Sequence, residues 1–186
     1  MDPQTIIAHT RRWIADMVIA LNLCPFARRV FESNKIRYAV SLAEDEKKLL
    51  KDLEAELKKL AKTSIAVLET TLLIHPRVLG EFLAYNDFLD RAEACVQALG
   101  LRGIVQIASF HPEYQFASTS ADAVENYTNR SPYPMLHLLR EESVTAVAND
   151  PDELRAIPVR NIETLNRLGK EKILAKFRAI REGGAD

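Results

Sequence analysis

The chain has 186 residues, 47% of them hydrophobic and 27% charged, with a formal net charge of −1. These totals fit one globular domain of ordinary size around a single core. They exclude the broad electrostatic attraction of a strongly basic chain to nucleic acid or an anionic membrane, and no apolar run is long enough to span a bilayer.

The opening residues, Met1-Asp2-Pro3-Gln4-Thr5, lack the basic start and apolar core of a signal peptide. Cys24 and Cys95 make neither a disulfide framework nor a zinc spacing, so a reducing cytoplasm is the expected compartment. Asp2-Pro3 is a helix start, with Asp as cap and Pro at the first helical position. Ile6, Ile7, Trp13, Ile14, Met17, Val18 and Leu21 then recur at helical spacing. Pro25 ends that helix, and a short helix over 25–33 would place Cys24 at its N-cap. The alternation of 36–42 reads as the first strand. A helix over 44–62 shows Leu49, Leu50, Leu53, Leu57 and Leu60 as its stripe, and its charged side is a solvated face. The run 64–74 reads as a second strand, followed by a helix over 78–99 that Gly100 caps. Residues 104–108 form a third strand, and 135–139 a fourth. A short helix or ragged turn over 141–148, a turn beginning at Asp150-Pro151 that Pro158 interrupts, a helix over 161–181 weakened at Gly169 and a frayed end at 183–186 complete the chain.

Strands alternating with helices point to crossover connections. The expected fold is one α/β domain over 1–186: a mixed sheet of about four strands, at least three mutually parallel, flanked by helices. The competing architecture is a ferredoxin-like, mainly antiparallel sheet.

In the parallel arrangement the second and third strands end at one edge, each in an apolar residue followed by His-Pro: Ile74-His75-Pro76 and Phe110-His111-Pro112. His75 and His111 then open where ligands bind in open α/β sheets. The bland alternative is that each His hydrogen-bonds its own turn. The stretch between Phe110 and Met135 is long for a connection in a compact domain yet carries Tyr114, Phe116, Tyr127 and Tyr133, which a disordered segment would lack. Within it Arg130 offers a planar fork for carboxylate or phosphate, Tyr114, Tyr127 and Tyr133 offer flat walls, and Asn126 and Asn129 can satisfy turn amides or a ligand. The loop is therefore either an anion pocket or a self-packed scaffold. Cys24, near Arg28 and Arg29, is either a reactive thiol or a packed one.

No Gly-x-Gly-x-x-Gly, P-loop, His-Glu-x-x-His or paired Cys-x-x-Cys occurs. No metal is expected and no cofactor is indicated: a metal on His75, His111 and Cys24 or Glu113 is conceivable, but no ligand pair has diagnostic spacing.

Asn22-Leu23-Cys24-Pro25-Phe26-Ala27, Tyr85-Asn86-Asp87-Phe88-Leu89, the nine residues from Ser109 to Ala117 and the run from Asn126 to Arg140 resemble the bacterial family called domain of unknown function 1415. The resemblance covers nearly the whole chain. It implies a soluble bacterial protein of about this length and carries no activity, cofactor or catalytic residue.

The leading expectation is a small-molecule enzyme acting on an anionic substrate. His111 would be its general acid/base, with His75 and Cys24 beside it, and Tyr114, Asn126, Asn129, Arg130 and Tyr133 would bind the substrate. The rival is a non-catalytic binding or assembly protein that docks a partner through the aromatic loop 111–134. A concave pocket would favour the first, an exposed aromatic patch the second.

Overall fold

The computed structural model describes residues 1–147 and 151–183. Asp150 and residues 184–186, where a turn start and a frayed end are expected, lie outside the described residues. Four strands form one sheet: β1 (Ile36–Val40), β2 (Thr70–Ile74), β3 (Val105–Phe110) and β4 (Met135–Arg140), in the order β1-β2-β4-β3. The helices are α1 (Pro3–Trp13), α2 (Ala27–Glu32), α3 (Glu46–Lys62), α4 (Phe82–Ala98), α5 (Glu141–Val147), α6 (Pro151–Leu168) and α7 (Lys170–Glu182). A π-helix over Ile14–Ile19 continues α1, and a 3₁₀ turn covers Val124–Thr128.

The mixed α/β sheet is as expected, but its pairing is not. β1–β2 is its one parallel pair, and β4 inserts between β2 and β3, antiparallel to both. The expectation of at least three mutually parallel strands is corrected accordingly. A short apolar strand pairs equally well on either side, and what draws β4 into the centre is burial of Met135, Leu136 and Leu138 on both faces.

Strand alternation sorts the core into two layers. Leu73, Leu136 and Leu138 meet α3 and α4 on one face. Leu72, Ile74 and Met135 meet α1, the π-helix, α6 and α7 on the other. In α3, Leu49, Leu53, Leu57 and Leu60 are fully buried, each worth about 2 kcal/mol. Asp45 caps that helix by accepting the amide of Lys48 at 2.7 Å. The buried guanidinium of Arg140 serves its other end, donating to the carbonyls of Leu60 (2.7 Å), Thr63 and Leu68.

Other boundaries shift for local reasons. Residues 64–68 are not strand: the carbonyl of Ser64 accepts the amides of Val67 (2.9 Å) and Leu68 (3.0 Å), closing a turn that leaves Ile65 and Val67 exposed. Pro158 lies inside α6 without ending it. The expected final helix is broken into α6 and α7 at Gly169, whose φ of +84° suits glycine alone. α2 starts at Ala27 with Phe26 as its N-cap, so Cys24 does not hold that position.

Candidate functional site

Ile74 and Phe110 both pair with Met135. β2 and β3 therefore end level on either side of β4, and His75 and His111 leave the sheet at one edge. Tyr85 of α4 stands between them, its ring centroid 5.8 Å from that of His75 and 5.0 Å from that of His111. Both imidazoles are completely buried. His75 donates from Nδ1 to the carbonyl of Val78 at 3.1 Å. His111 donates from Nε2 to the carbonyl of Leu79 at 3.2 Å and accepts the amide of Glu113 at Nδ1 at 3.0 Å. Leu79 has a φ of +58°, a conformation costing a non-glycine residue about 1–2 kcal/mol, and the two histidines hold that turn from below. Burial above all lowers both pKa values, that of His75 to about 4. With both ring nitrogens engaged by backbone, His111 has none free for a substrate proton.

The loop expected to bind an anion spends its polar groups on itself. Asn126, fully buried, accepts the amide of Phe116 (3.0 Å) and the hydroxyl of Thr119 (2.9 Å) and donates to the carbonyl of Ser120 (2.8 Å). Arg130 donates to the carbonyls of Tyr114 (3.2 Å) and Ala121 (2.7 Å) and lies 4.5 Å over the ring of Tyr127. Tyr114 packs against Phe82 and Phe116. Tyr133 stacks on His9, with its hydroxyl 2.7 Å from Nδ1. Asn129 donates to the carbonyl of Ser109 at 3.1 Å.

The other face of the sheet does not close against its helices. A pocket of about 280 Å³ lies between β2, β4 and β3 on one side and the π-helix, α2, α5 and α6 on the other. Its wall is mostly apolar, with Ile14, Val18, Leu72, Ala108, Phe110 and Leu139 prominent, and Trp13 also faces it. The π-helix widens the first helix at this wall, a distortion often found at functional sites. Thr70, His137, Ser143 and Asn161 supply polar groups, and Glu69 is the one formally charged lining residue among those described. Arg29 meets Glu69 in a bidentate ion pair. His137 Nε2 lies 2.8 Å from the hydroxyl of Thr70, which itself donates to the carbonyl of Leu138 at 2.6 Å. Burial lowers the pKa of His137 to about 4. Among the described residues its Nδ1 has no hydrogen-bond partner, and the buried hydroxyl of Ser143 has none either.

Cys24 lines this pocket together with Asn129. It is therefore across the sheet from His75 and His111, and the thiol–imidazole pairing expected with either is not made. Tyr114, Asn126, Arg130 and Tyr133 are not part of the pocket wall. The thiol takes hydrogen bonds from the amides of Phe26 and Ala27, which favour the thiolate, but burial outweighs them and raises the pKa. With Cys95 replaced by Ser, Cys24 should accordingly alkylate with iodoacetamide at pH 7 more slowly than a free thiol, and faster as pH climbs past the ordinary thiol range. Native-state labelling faster than that of a free thiol would contradict this.

A family model matches residues 5–175, from within α1 into α7. The chain belongs to the family described as Protein of unknown function (DUF1415). No curated protein and no solved structure matches it. The matched span of DUF1415 takes in every pocket-lining residue, from Trp13 to Asn161. Among the described residues, no group of three or more His, Cys, Asp or Glu could hold a metal ion, and no helix is long and apolar enough to cross a membrane.

No role is expected from the sequence for His137, Thr70 or Ser143, although His137 directly follows the long loop. A signal was present for the first: in Met135-Leu136-His137-Leu138-Leu139 the histidine falls in the middle of an apolar strand, where a polar side chain needs a partner or a purpose.

Proposed function

We propose that this protein binds a small, uncharged and largely apolar molecule in the pocket between the sheet and the π-helix, α2 and α6. The observation that carries the reading is an apolar pocket of about 280 Å³ whose wall holds a ring nitrogen, Nδ1 of His137, with no protein partner among the described residues. At ~30 Å³ per water-sized group the pocket has room for about nine non-hydrogen atoms.

An anionic substrate is less well supported. The lining charge is the carboxylate of Glu69, Arg29 is engaged with it, and Arg130 is turned to backbone carbonyls and Tyr127. Acid/base chemistry at His111 has no free ring nitrogen to use. Partner docking through the aromatic loop lacks exposed anchors, since none of the exposed large hydrophobic residues falls within 111–134.

Trp13, the one tryptophan of the chain, faces the pocket and reports on it. Titration with small uncharged aliphatic molecules should change its emission saturably. At a hundredfold excess over Kd the same ligand should raise Tm by roughly 5–10 °C through mass action. A panel that moves neither signal would remove the proposal.

A further inference from the structure

The hydrogen bonds around His137 specify what a ligand's polar end must be. A threonine hydroxyl has a single proton. The 2.6 Å contact between Thr70 Oγ1 and the carbonyl oxygen of Leu138 brings two acceptors together unless that proton lies between them, so Thr70 donates to Leu138. Its lone pairs then face Nε2 of His137 at 2.8 Å, and Nε2 must carry the hydrogen. In a neutral ring Nδ1 is left as a lone pair. It has no partner among the described residues and is not among the sealed, unpartnered atoms, so it opens to the pocket that His137 lines.

A ligand that donates a proton to His137 Nδ1 satisfies that nitrogen, and a neutral hydroxyl does so. An ether offers no proton, and a carboxylate would set a charge against a lone pair, with Glu69 in the same wall.

Resting on the pocket reading above, we infer that the ligand is a neutral alcohol or phenol on an apolar body, its hydroxyl donating to Nδ1 of His137. Thr70 is the positioning residue: it touches His137 and sets which nitrogen is the acceptor. The arrangement forms one chain, from the ligand hydroxyl through His137 and Thr70 to the carbonyl of Leu138. Buried sites built around one hydroxyl discriminate strongly against analogues without it.

Calorimetric titration with 4-ethylphenol, 4-ethylanisole and 4-ethylbenzoate tests this. The phenol should bind at least tenfold more tightly than the ether or the carboxylate. The preference should persist in Thr70→Ser, shrink in Thr70→Val and vanish in His137→Phe, in which phenol and ether should bind alike. Should His137→Phe fail to fold, the contrast between Thr70→Ser and Thr70→Val still decides. Equal binding of phenol and ether by the native protein, tighter binding of the carboxylate, a preference that survives His137→Phe, or one undiminished in Thr70→Val would overturn the inference while leaving the pocket reading in place. Binding of none of the three would overturn the inference and count against the pocket itself.

Discussion

Replacing Tyr85 with phenylalanine should destabilise the protein by about 2–4 kcal/mol. The ring stands between two buried histidines, but the hydroxyl carries the effect. It donates to the carbonyl of Met135 at 2.9 Å and accepts the amide of Phe110 at 3.0 Å. Those two residues form the last register pair of β3 and β4. Phenylalanine keeps the packing and leaves both backbone groups without that partner, at about 1–3 kcal/mol for each one buried and unsatisfied. Tyr85→Ala would add the cavity cost of a deleted aromatic ring, about 3–5 kcal/mol, enough to unfold a typical domain. Urea unfolding of wild type and Tyr85→Phe measures the difference. An unchanged midpoint would show that the hydroxyl is not holding the edge.

Acid should be the second large perturbation. In the unfolded chain His75 titrates near its ordinary value of 6.5; in the folded protein, burial lowers this to about 4. The folded state then binds fewer protons than the unfolded state between these limits, so stability rises with pH across that window. The contribution is complete above about pH 6.5 and is lost as pH falls towards 4. At about 1.4 kcal/mol per pH unit, His75 alone accounts for roughly 3 kcal/mol. Among the described residues its buried Nε2 has no acceptor, so an added proton gains no partner there. His111, its neighbour, shifts in the same direction, chiefly through burial. His137 is also lowered to about 4, but its ring borders the pocket, where water can screen it, so its share is smaller. Unfolding measured at pH 7.0, 5.5 and 4.5 should show the decline, and the imidazole resonance of His75 should stay in its neutral position down to about pH 4. A flat stability profile from pH 7 to 4.5 would contradict the assignment.

Local chemistry made much of the fold legible. The leucine stripe of α3 and the capping residues Asp2 and Asp45 are written in consecutive residues, and the elements they predict form. The ends of β2 and β3 were legible too, because His-Pro stops a strand wherever it occurs. Pairing was not. Whether β4 lies at an edge or in the centre depends on contacts between residues more than sixty positions apart, such as Leu72 and His137, and no local pattern encodes them. That single insertion is why three parallel strands were expected and one parallel pair is found.

The site was less legible than the fold, for a related reason. Alternation along a strand decides which face each side chain takes, so neighbours in sequence can serve opposite layers. Phe110 lines the pocket while His111, the next residue, packs on Tyr85. The long loop drew attention through its aromatic and arginine content, yet those groups largely satisfy one another. The pocket itself is an absence of side-chain volume between the π-helix and the strands that carry Ala108 and Leu72, and composition does not record missing volume.

The central claim is that this pocket receives a ligand, and one titration tests it most directly. Ala108 projects from β3 into the pocket beside Phe110. In Ala108→Phe the new ring should occupy the ligand's space and raise Tm above that of the wild type by filling apolar volume. A small uncharged ligand that shifts Trp13 emission and Tm in the wild type should then shift neither in the variant. A ligand response of the same size in a folded Ala108→Phe protein would place the binding site elsewhere and contradict the account.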